Sequence, residues 1–370
     1  MINKLPVKLR QVLDTLVQSQ AIPIIVGGSV RDYFFNKSCI DYDVEVYGLE
    51  SIEQCKKLLE YYGEVNEVGK SFGILKLNYD GDIYDFSFPR IENKIGIGHT
   101  SFDIIIDSNL SYADAAKRRD FTINSIGYDY KNNIFLDPFN GKEDIKKKIL
   151  RYIDKKSFIE DSLRVYRAIQ LCARFNLNIE KNTKQLCIKM VKEKEFQILS
   201  KDRVYDEYKK LLLQSEVPSK GLYLLNIFNI LYLSDKLIEN IDDMVKYKTE
   251  NHKDNMILMF YFLFDILEEI SNDKKLYKDI KKLKEFKVPK IYAYKIQEIK
   301  NKAEYISIKY HILQSMPQPY IFGKDLINLG YKPSVAFGKV LDRLYEMQLN
   351  GEVKSKKEAE NLISTLLNNN

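Results

Sequence analysis

An abrupt change of hydrophobic period at Asp137-Pro138-Phe139-Asn140-Gly141 limits the possible folds more than any other feature of this 370-residue chain. Before it, short β-branched runs are broken by Gly and Asp: Ile22–Val26, Asp43–Tyr47, Gly73–Asn78, Ile83–Phe88 and Ser125–Asp129. Helical spacing separates them at Val30–Phe35 and Ser51–Tyr62, which is an α/β pattern. Tyr79-Asp80-Gly81-Asp82 lies between two alternating runs and predicts a tight hairpin, so part of the sheet is antiparallel. After Gly141 the strand signal disappears. Apolar residues recur instead at three- and four-residue spacing in Glu143–Tyr152, Phe158–Asn176, Thr183–Lys194, Tyr205–Gln214, Lys220–Leu233, Ile257–Ile270 and Ala336–Leu349. The chain therefore reads as α+β, an α/β head with a mixed sheet followed by an all-helical neck, body and tail. The expected divisions are head 1–138, neck 139–216, body 217–303 and tail 304–370.

Composition narrows the function classes. Lys and Arg exceed Asp and Glu by 58 − 52 = 6, a mild excess that permits a polyanionic partner without requiring one. Cys39, Cys55, Cys172 and Cys187 are scattered and form no C-x-x-C pair. With only His99, His252 and His311 beside them, free thiols are expected rather than a zinc site or disulfide framework. The start of the chain is an amphipathic helix pattern without a signal-peptide core. The apolar stretch Met256–Ile266 is too short to span a bilayer. These features point to a cytoplasmic protein with no membrane association.

Ile24-Ile25-Val26 followed by Gly27-Gly28 reads as a buried strand entering a tight turn, with Ser29 as N-cap of a helix from Val30. Glycines here let backbone N–H groups approach an anion. Asp41 and Asp43 follow, two apart, and would point to one face of a strand. Such a pair repels unless it is solvated or holds a cation, and its oxygens suit Mg²⁺. Asp85 interrupts the apolar run Ile83-Tyr84-Asp85-Phe86 and is a candidate third carboxylate, with Asp80 and Asp82 as competitors in the turn. Arg118 to Asn124 packs two arginines, an acid and an amide into seven residues. That suits phosphate and ribose recognition, or a helix-capping network. Ser157 and Glu160 read as a capping box. Asp161 and Arg164 would then be neighbours on one helix face, as a surface pair or as a recognition pair, with Arg167 and Arg174 continuing the basic side. Asp273–Lys300 carries ten Lys against two Asp and two Glu, suiting either a solvated face or an RNA backbone.

On these residues the chain resembles the class II tRNA nucleotidyltransferase and poly(A) polymerase family, and most of all its CCA-adding members. Gly27-Gly28-x-Val30-Arg31-Asp32 through Asp41-x-Asp43 is similar to the family's catalytic motif, and Arg118-Arg119-Asp120-Phe121-Thr122-Ile123-Asn124 to its ribose-binding motif. Asp137-Pro138-Phe139-Asn140-Gly141 with Asp144 is similar to its hinge. Glu160-Asp161-Ser162-Leu163-Arg164 resembles the base-reading motif, Arg203–Leu212 with Glu207 the last helical motif, and Gly323–Leu326 through Gly351–Val353 the tail.

The resemblance implies a nucleotidyltransferase-type head that adds C, C and A to the 3′ end of tRNA from CTP and ATP. Asp41, Asp43 and Asp85 would hold Mg²⁺. Gly27, Gly28, Arg31, Arg119, Asp120, Asn124, Asp161, Arg164 and Arg167 would bind the nucleotide. The 90–102 segment is expected as a flexible loop of the kind that helps such enzymes switch from C to A. A-addition alone, poly(A) synthesis and a non-catalytic RNA-binding relative are the alternatives.

Overall fold

The structure is a computed structural model. It describes residues 1–39, 41–68, 73–94, 102–108, 110–233, a subset of positions between 235 and 284, and residues 318–334, 336–349 and 352–368. The chain divides into two compact units. One comprises residues 1–211 and 215–232, the other 212–214 and 233–370.

In the first unit the five β-branched runs form strands β1 (Ile22–Val26), β2 (Asp43–Tyr47), β4 (Ile74–Tyr79), β5 (Asp82–Ser87) and β8 (Gly127–Asp129), and two strands outside those runs, β3 (Glu64–Val68) and β9 (Ile134–Leu136), join them. They make one mixed seven-stranded sheet, ordered β3-β4-β5-β2-β1-β8-β9. β2 and β5 run parallel, and the other neighbours run antiparallel. The Asp80–Gly81 turn has positive φ at both residues, 49° and 87°, which is what the right-handed twist of a two-residue hairpin demands.

One face of the sheet is apolar at every level. Ile25, Val44, Phe86 and Leu75 register across four strands and are all buried. The amphipathic helix α1 (Val7–Gln18) buries Leu9, Val12, Leu13 and Leu16 and packs against β1 and α3 (Ile52–Leu59). Each such side chain, fully buried, contributes about 1.5–3 kcal/mol. The opposite face, with Ile24, Val26 and Tyr47 packed around Ala115, carries the charged residues described below.

Three expectations change at the edges of the head. The 90–102 segment is not simply a loop. Arg90–Lys94 (β6) and Phe102–Ile106 (β7) pair as an antiparallel ribbon, and only 95–101 lies outside the described residues. Its polar sequence conceals strand pairing because the ribbon is separate from the main sheet. β3 was not predicted because it is an edge strand, mostly exposed, and has no apolar alternation to show. The helix after the glycine turn begins at Gly28 with Gly27 as its cap. Ser29 lies inside it and donates to Val26 O at 3.2 Å.

Beyond Asp137 the neck is mainly helical, as read. Asp137 accepts from Gly141 N at 2.7 Å and Lys142 N at 3.0 Å, capping α5 (Gly141–Lys146). Gly141 has no room for a side chain, since a Cβ there would lie 2.2 Å from Thr122 O. Strand structure does persist here. Ile149–Leu150 (β10) pairs in parallel with Asn178–Ile179 (β11). The expected helix over 158–176 is broken into α6 (Lys155–Ile159) and α7 (Arg164–Arg174).

The reason for the break is local. Asp161 accepts from Leu163 N at 3.1 Å, offering the backbone an alternative to a continuous helix. Asp154, not Ser157, caps α6, accepting from Ser157 N at 2.8 Å. Helices α8 (Lys181–Val191), α9 (Lys194–Gln197), α10 (Lys201–Leu213) and α11 (Pro218–Ile227) follow, and α7 packs on α8 and α11.

In the second unit the described residues include helices His252–Phe260, Lys274–Lys284, Gly323–Asn328, Ala336–Leu349 and Lys356–Asn368. The last three enclose a core of Leu326, Val340, Leu344, Val353 and Ile363. Residues 285–300 of the lysine-rich stretch, with His99, His311, Pro317 and Gly351, lie outside the described residues. Among the described residues no helix is long and apolar enough to cross a membrane. The four cysteines are free, and Cys55, Cys172 and Cys187 are buried.

Candidate active site

Strand register assembles the acids. Val26, the last residue of β1, faces Asp43, the first of β2, so the turn that leaves one strand lies against the start of the other. Asp43 in turn registers with Asp85 on the parallel neighbour β5, and Asp85 with Lys76 on β4. One row across four strands thus reads Val26, Asp43, Asp85, Lys76. Asp41 is exposed and directly precedes this row.

Gly27 has φ +74°, a conformation L side chains rarely adopt. A Cβ there would lie 3.3 Å from Asp43 Oδ2 and 3.6 Å from Arg119 Nη1, so the backbone turn nestles between an acid and a guanidinium. The Asp43 carboxyl titrates above its usual range. Loss of solvent is the main cause and repulsion from Asp85 and Asp41 adds to it, against the attraction of Arg119 and Lys76. Asp85 Oδ2 lies 3.1 Å from Lys76 Nζ, while its buried Oδ1 has no hydrogen-bond partner among the described residues.

These carboxylates fit a divalent cation by their chemistry: two hard oxygen donors side by side, mutually repelling, one with an unused oxygen. Among the described residues no group of three or more His, Cys, Asp and Glu is drawn close enough to form a metal cage. Mg²⁺ does not need one, because it commonly takes one or two carboxylates and completes its shell with water and substrate phosphate.

Glu45, two residues beyond Asp43 on the same face, is the part of the site the sequence reading missed. It is fully buried. It accepts from Arg118, from Arg119 at 3.0 Å and from Tyr47 OH at 3.1 Å. Burial alone would raise its pKa, but Arg119 and Arg118 more than offset this and hold it below the usual carboxylate range. The available signal was an acid inside an otherwise apolar strand, which must be paired if buried. Two adjacent arginines stood ready as its partners.

Arg31, Asn124, Asp120 and Arg167 form a second chain, from the glycine-turn helix α2 (Gly28–Phe34) to α7. Arg31 is buried, ion-pairs with Asp32 at 2.6 Å and donates to Asn124 at 2.9 Å, and its guanidinium lies over the Phe175 ring. Asn124 donates to Asp120 Oδ1 at 2.9 Å, and Phe121 N reaches the same oxygen at 2.8 Å. Arg167 meets Asp120 Oδ2 through Nε at 2.7 Å and Nη2 at 2.6 Å. A carboxylate has about four acceptor sites, so Asp120 is filled by protein donors.

Burial would raise the Asp120 pKa, yet Arg167 and Arg164, with the Asn124 hydrogen bond, hold it at about 2. The folded pKa lies below the ordinary value of 3.8, so this carboxylate stabilises the fold fully above that value. The contribution is lost as pH falls towards 2. The gap in melting temperature between the protein and its Asp120→Asn variant should accordingly be widest near neutrality and narrow between pH 4 and 2. Melts recorded across that range check it, and a constant gap would contradict the assignment.

The base-reading candidates have different side-chain partners. Asp161 Oδ2 pairs with Arg203 of α10 at 2.8 Å. Arg164 donates to Arg118 O at 2.6 Å and Ser157 O at 2.9 Å. Arg164 thus ties the neck to the head, while Arg203 forms the ion pair with Asp161. Arg174 lies over the Phe175 ring, its pKa lowered by burial and then by Arg31.

Residues 24–151 match the family described as Poly A polymerase head domain. A CCA-adding enzyme from Buchnera aphidicola subsp. Baizongia pistaciae is 32% identical over 259 residues, 69% of this chain and 58% of that protein. A multifunctional CCA protein from Stenotrophomonas maltophilia is 32% identical over 201 residues, 54% of this chain and 47% of that protein. The chain thus spans about half to three fifths of the length of these curated relatives. Among solved structures, the Bacillus stearothermophilus CCA-adding enzyme in complex with CTP aligns over 99% of this chain and 98% of its own. Its TM-score is 0.64 and its identity 19%. The Thermotoga maritima CCA-adding enzyme complexed with tRNA aligns over 99% and 97%, with TM-score 0.59 and 18% identity. These likenesses establish the fold and meet the family resemblance read from the motifs.

Proposed function

We propose that this chain adds C, C and A to the 3′ end of tRNA, using CTP and ATP and releasing pyrophosphate. The observation that carries this reading is the direct bonding of the Arg118–Asn124 segment to the acid-bearing strand on one side and to the neck on the other. Glu45 holds Arg118 and Arg119, while Arg164 and Arg167 hold Arg118 O and Asp120. Catalytic and base-reading residues so tied can act on one nucleotide. The solved relatives carrying CTP, ATP and tRNA support the same substrates.

Asp43 and Asp85, with Asp41, would hold Mg²⁺. The bound ion would supply activation of the attacking hydroxyl and neutralisation of the leaving pyrophosphate. The chain's own groups do the rest. Gly27 and Gly28 let the backbone come close to the triphosphate, and Arg119 adds a positive charge beside Asp43. Asp161 accepts from the exocyclic amine of C or A while Arg164 or Arg203 donates to a ring acceptor. G and U present the opposite pattern at those edges, so they are refused without a nucleic-acid template.

The test is to incubate the protein and Mg²⁺ with tRNAs ending before CCA, after C, or after CC, offering each labelled nucleotide separately. C twice and then A once is the expected result. A added only to the CC end makes it an A-adding enzyme, and long A tails make it a poly(A) polymerase. Asp161→Ala removes both the Arg203 partner and the donor-free edge that rejects G and U. Its kcat/KM for CTP should fall roughly 10- to 100-fold, while the share of U and G incorporated rises. Unchanged base selection would remove Asp161 from the reading.

A further inference from the structure

We propose that Lys76 is a built-in counter-ion of the Asp43–Asp85 pair, weakening the pair's hold on a bare divalent cation until nucleotide phosphates arrive with it. The inference rests on the metal-site reading above and assigns a positioning residue that none of the motifs contains. Three observations carry it.

Lys76 stands directly opposite Asp85 in the β4–β5 ladder, and its ammonium lies 3.1 Å from Asp85 Oδ2. Both members of the ion pair keep part of their side chains in solvent, 42% for Lys76 and 32% for Asp85, so the bond can exchange without unfolding anything. The other Asp85 oxygen is buried and has no hydrogen-bond partner among the described residues.

An ordinary cross-strand ion pair of this kind adds little to a sheet. The position makes Lys76 more than that. It shares the row that ends at Val26 and the glycine turn, and it is the cation directly opposite Asp85 on a face that would receive a metal. A unit positive charge a few ångströms from an incoming dication opposes its binding. For a metal that arrives carrying a triphosphate, net negative overall, the same charge is neutral or attractive. The lysine would thereby keep the acids from holding a metal that has no substrate.

The experiment measures Mn²⁺ binding to the nucleotide-free full-length protein, by the electron paramagnetic resonance signal of free Mn²⁺. Wild type, Lys76→Met and Lys76→Arg are compared, with thermal melts to show that all three fold. Lys76→Met should bind Mn²⁺ about tenfold more tightly, Lys76→Arg should match wild type, and adding Asp85→Asn to Lys76→Met should abolish the gain. Equal Mn²⁺ affinity in wild type and Lys76→Met overturns the proposal. So does weakened CTP binding in the presence of chelator with Mn²⁺ affinity unchanged, since that would make Lys76 a phosphate ligand. Mn²⁺ affinity is read without turnover, so a failure to add C and A to tRNA would sink the proposed function and leave this result standing.

Discussion

Asp43→Ala is expected to lower the single-turnover rate of CMP incorporation by at least about 10³-fold, which is about 4 kcal/mol of transition-state stabilisation, while leaving the fold as stable as before or more so. The two halves of that expectation have one cause. Asp43 stands at the start of its strand, and its carboxyl is destabilised by lost solvation and by Asp85 and Asp41. A carboxylate whose folded pKa lies above its unfolded value costs stability once both are ionised. Removing it at neutral pH relieves that cost and deletes the oxygen proposed to hold the metal in the same step. Quench-flow with labelled CTP, paired with a thermal melt, checks both. Activity within tenfold of wild type in a folded variant would remove Asp43 from the chemistry.

Glu45→Gln should have the opposite profile, with stability failing first. The substitution leaves Arg118 and Arg119 beside an oxygen that no longer carries their counter-charge, in a site that excludes water. Breaking a buried ion pair from one side typically costs about 3–5 kcal/mol. In a unit of this size that corresponds to a fall in melting temperature on the order of 10 °C. Activity should fall too, because Arg119, freed of Glu45, is drawn towards Asp43 and blunts the acid pair. Glu45→Asp, which retains the charge on a shorter arm, should recover part of the melting temperature. A Glu45→Gln protein that melts with wild type would show that the arginines are held by other means.

The two variants probe parts of the site that were unequally visible in the sequence. Asp43 could be read because it stands two residues from Asp41 just after the glycine turn, and Asp85 because it interrupts a short apolar run; the turn residues Asp80 and Gly81 fixed the hairpin that carries Asp85. β1 and β2 run over the residues their β-branched composition predicted. Glu45 and Lys76 were not read as part of the site, because their meaning lies in partners that only the sheet provides. Arg118 is 73 residues from Glu45, and Lys76 meets Asp85 only through register. Likewise the 3.6-residue periodicity of 158–176 is genuine on both sides of Asp161. It could not reveal that one side-chain hydrogen bond to Leu163 N divides it. Asp120 was legible as important. What it touches was not, since its partners Asn124 and Arg167 come from two different elements.

The mixed order of the sheet also bears on how the site comes into being. β4 and β5 are joined by a two-residue turn, so the hairpin bearing Lys76 and Asp85 closes from neighbouring chain, in a step of microseconds for such elements. The parallel pairing of β5 with β2 is a far longer closure, with α3, β3 and β4 lying between, and such pairings are intrinsically slow. Asp85 therefore reaches Asp43 already accompanied by an ammonium, and the sheet zips without bringing two bare anions together. The lysine that tempers metal binding in the finished protein would, on this order of events, first serve as an escort that smooths its assembly.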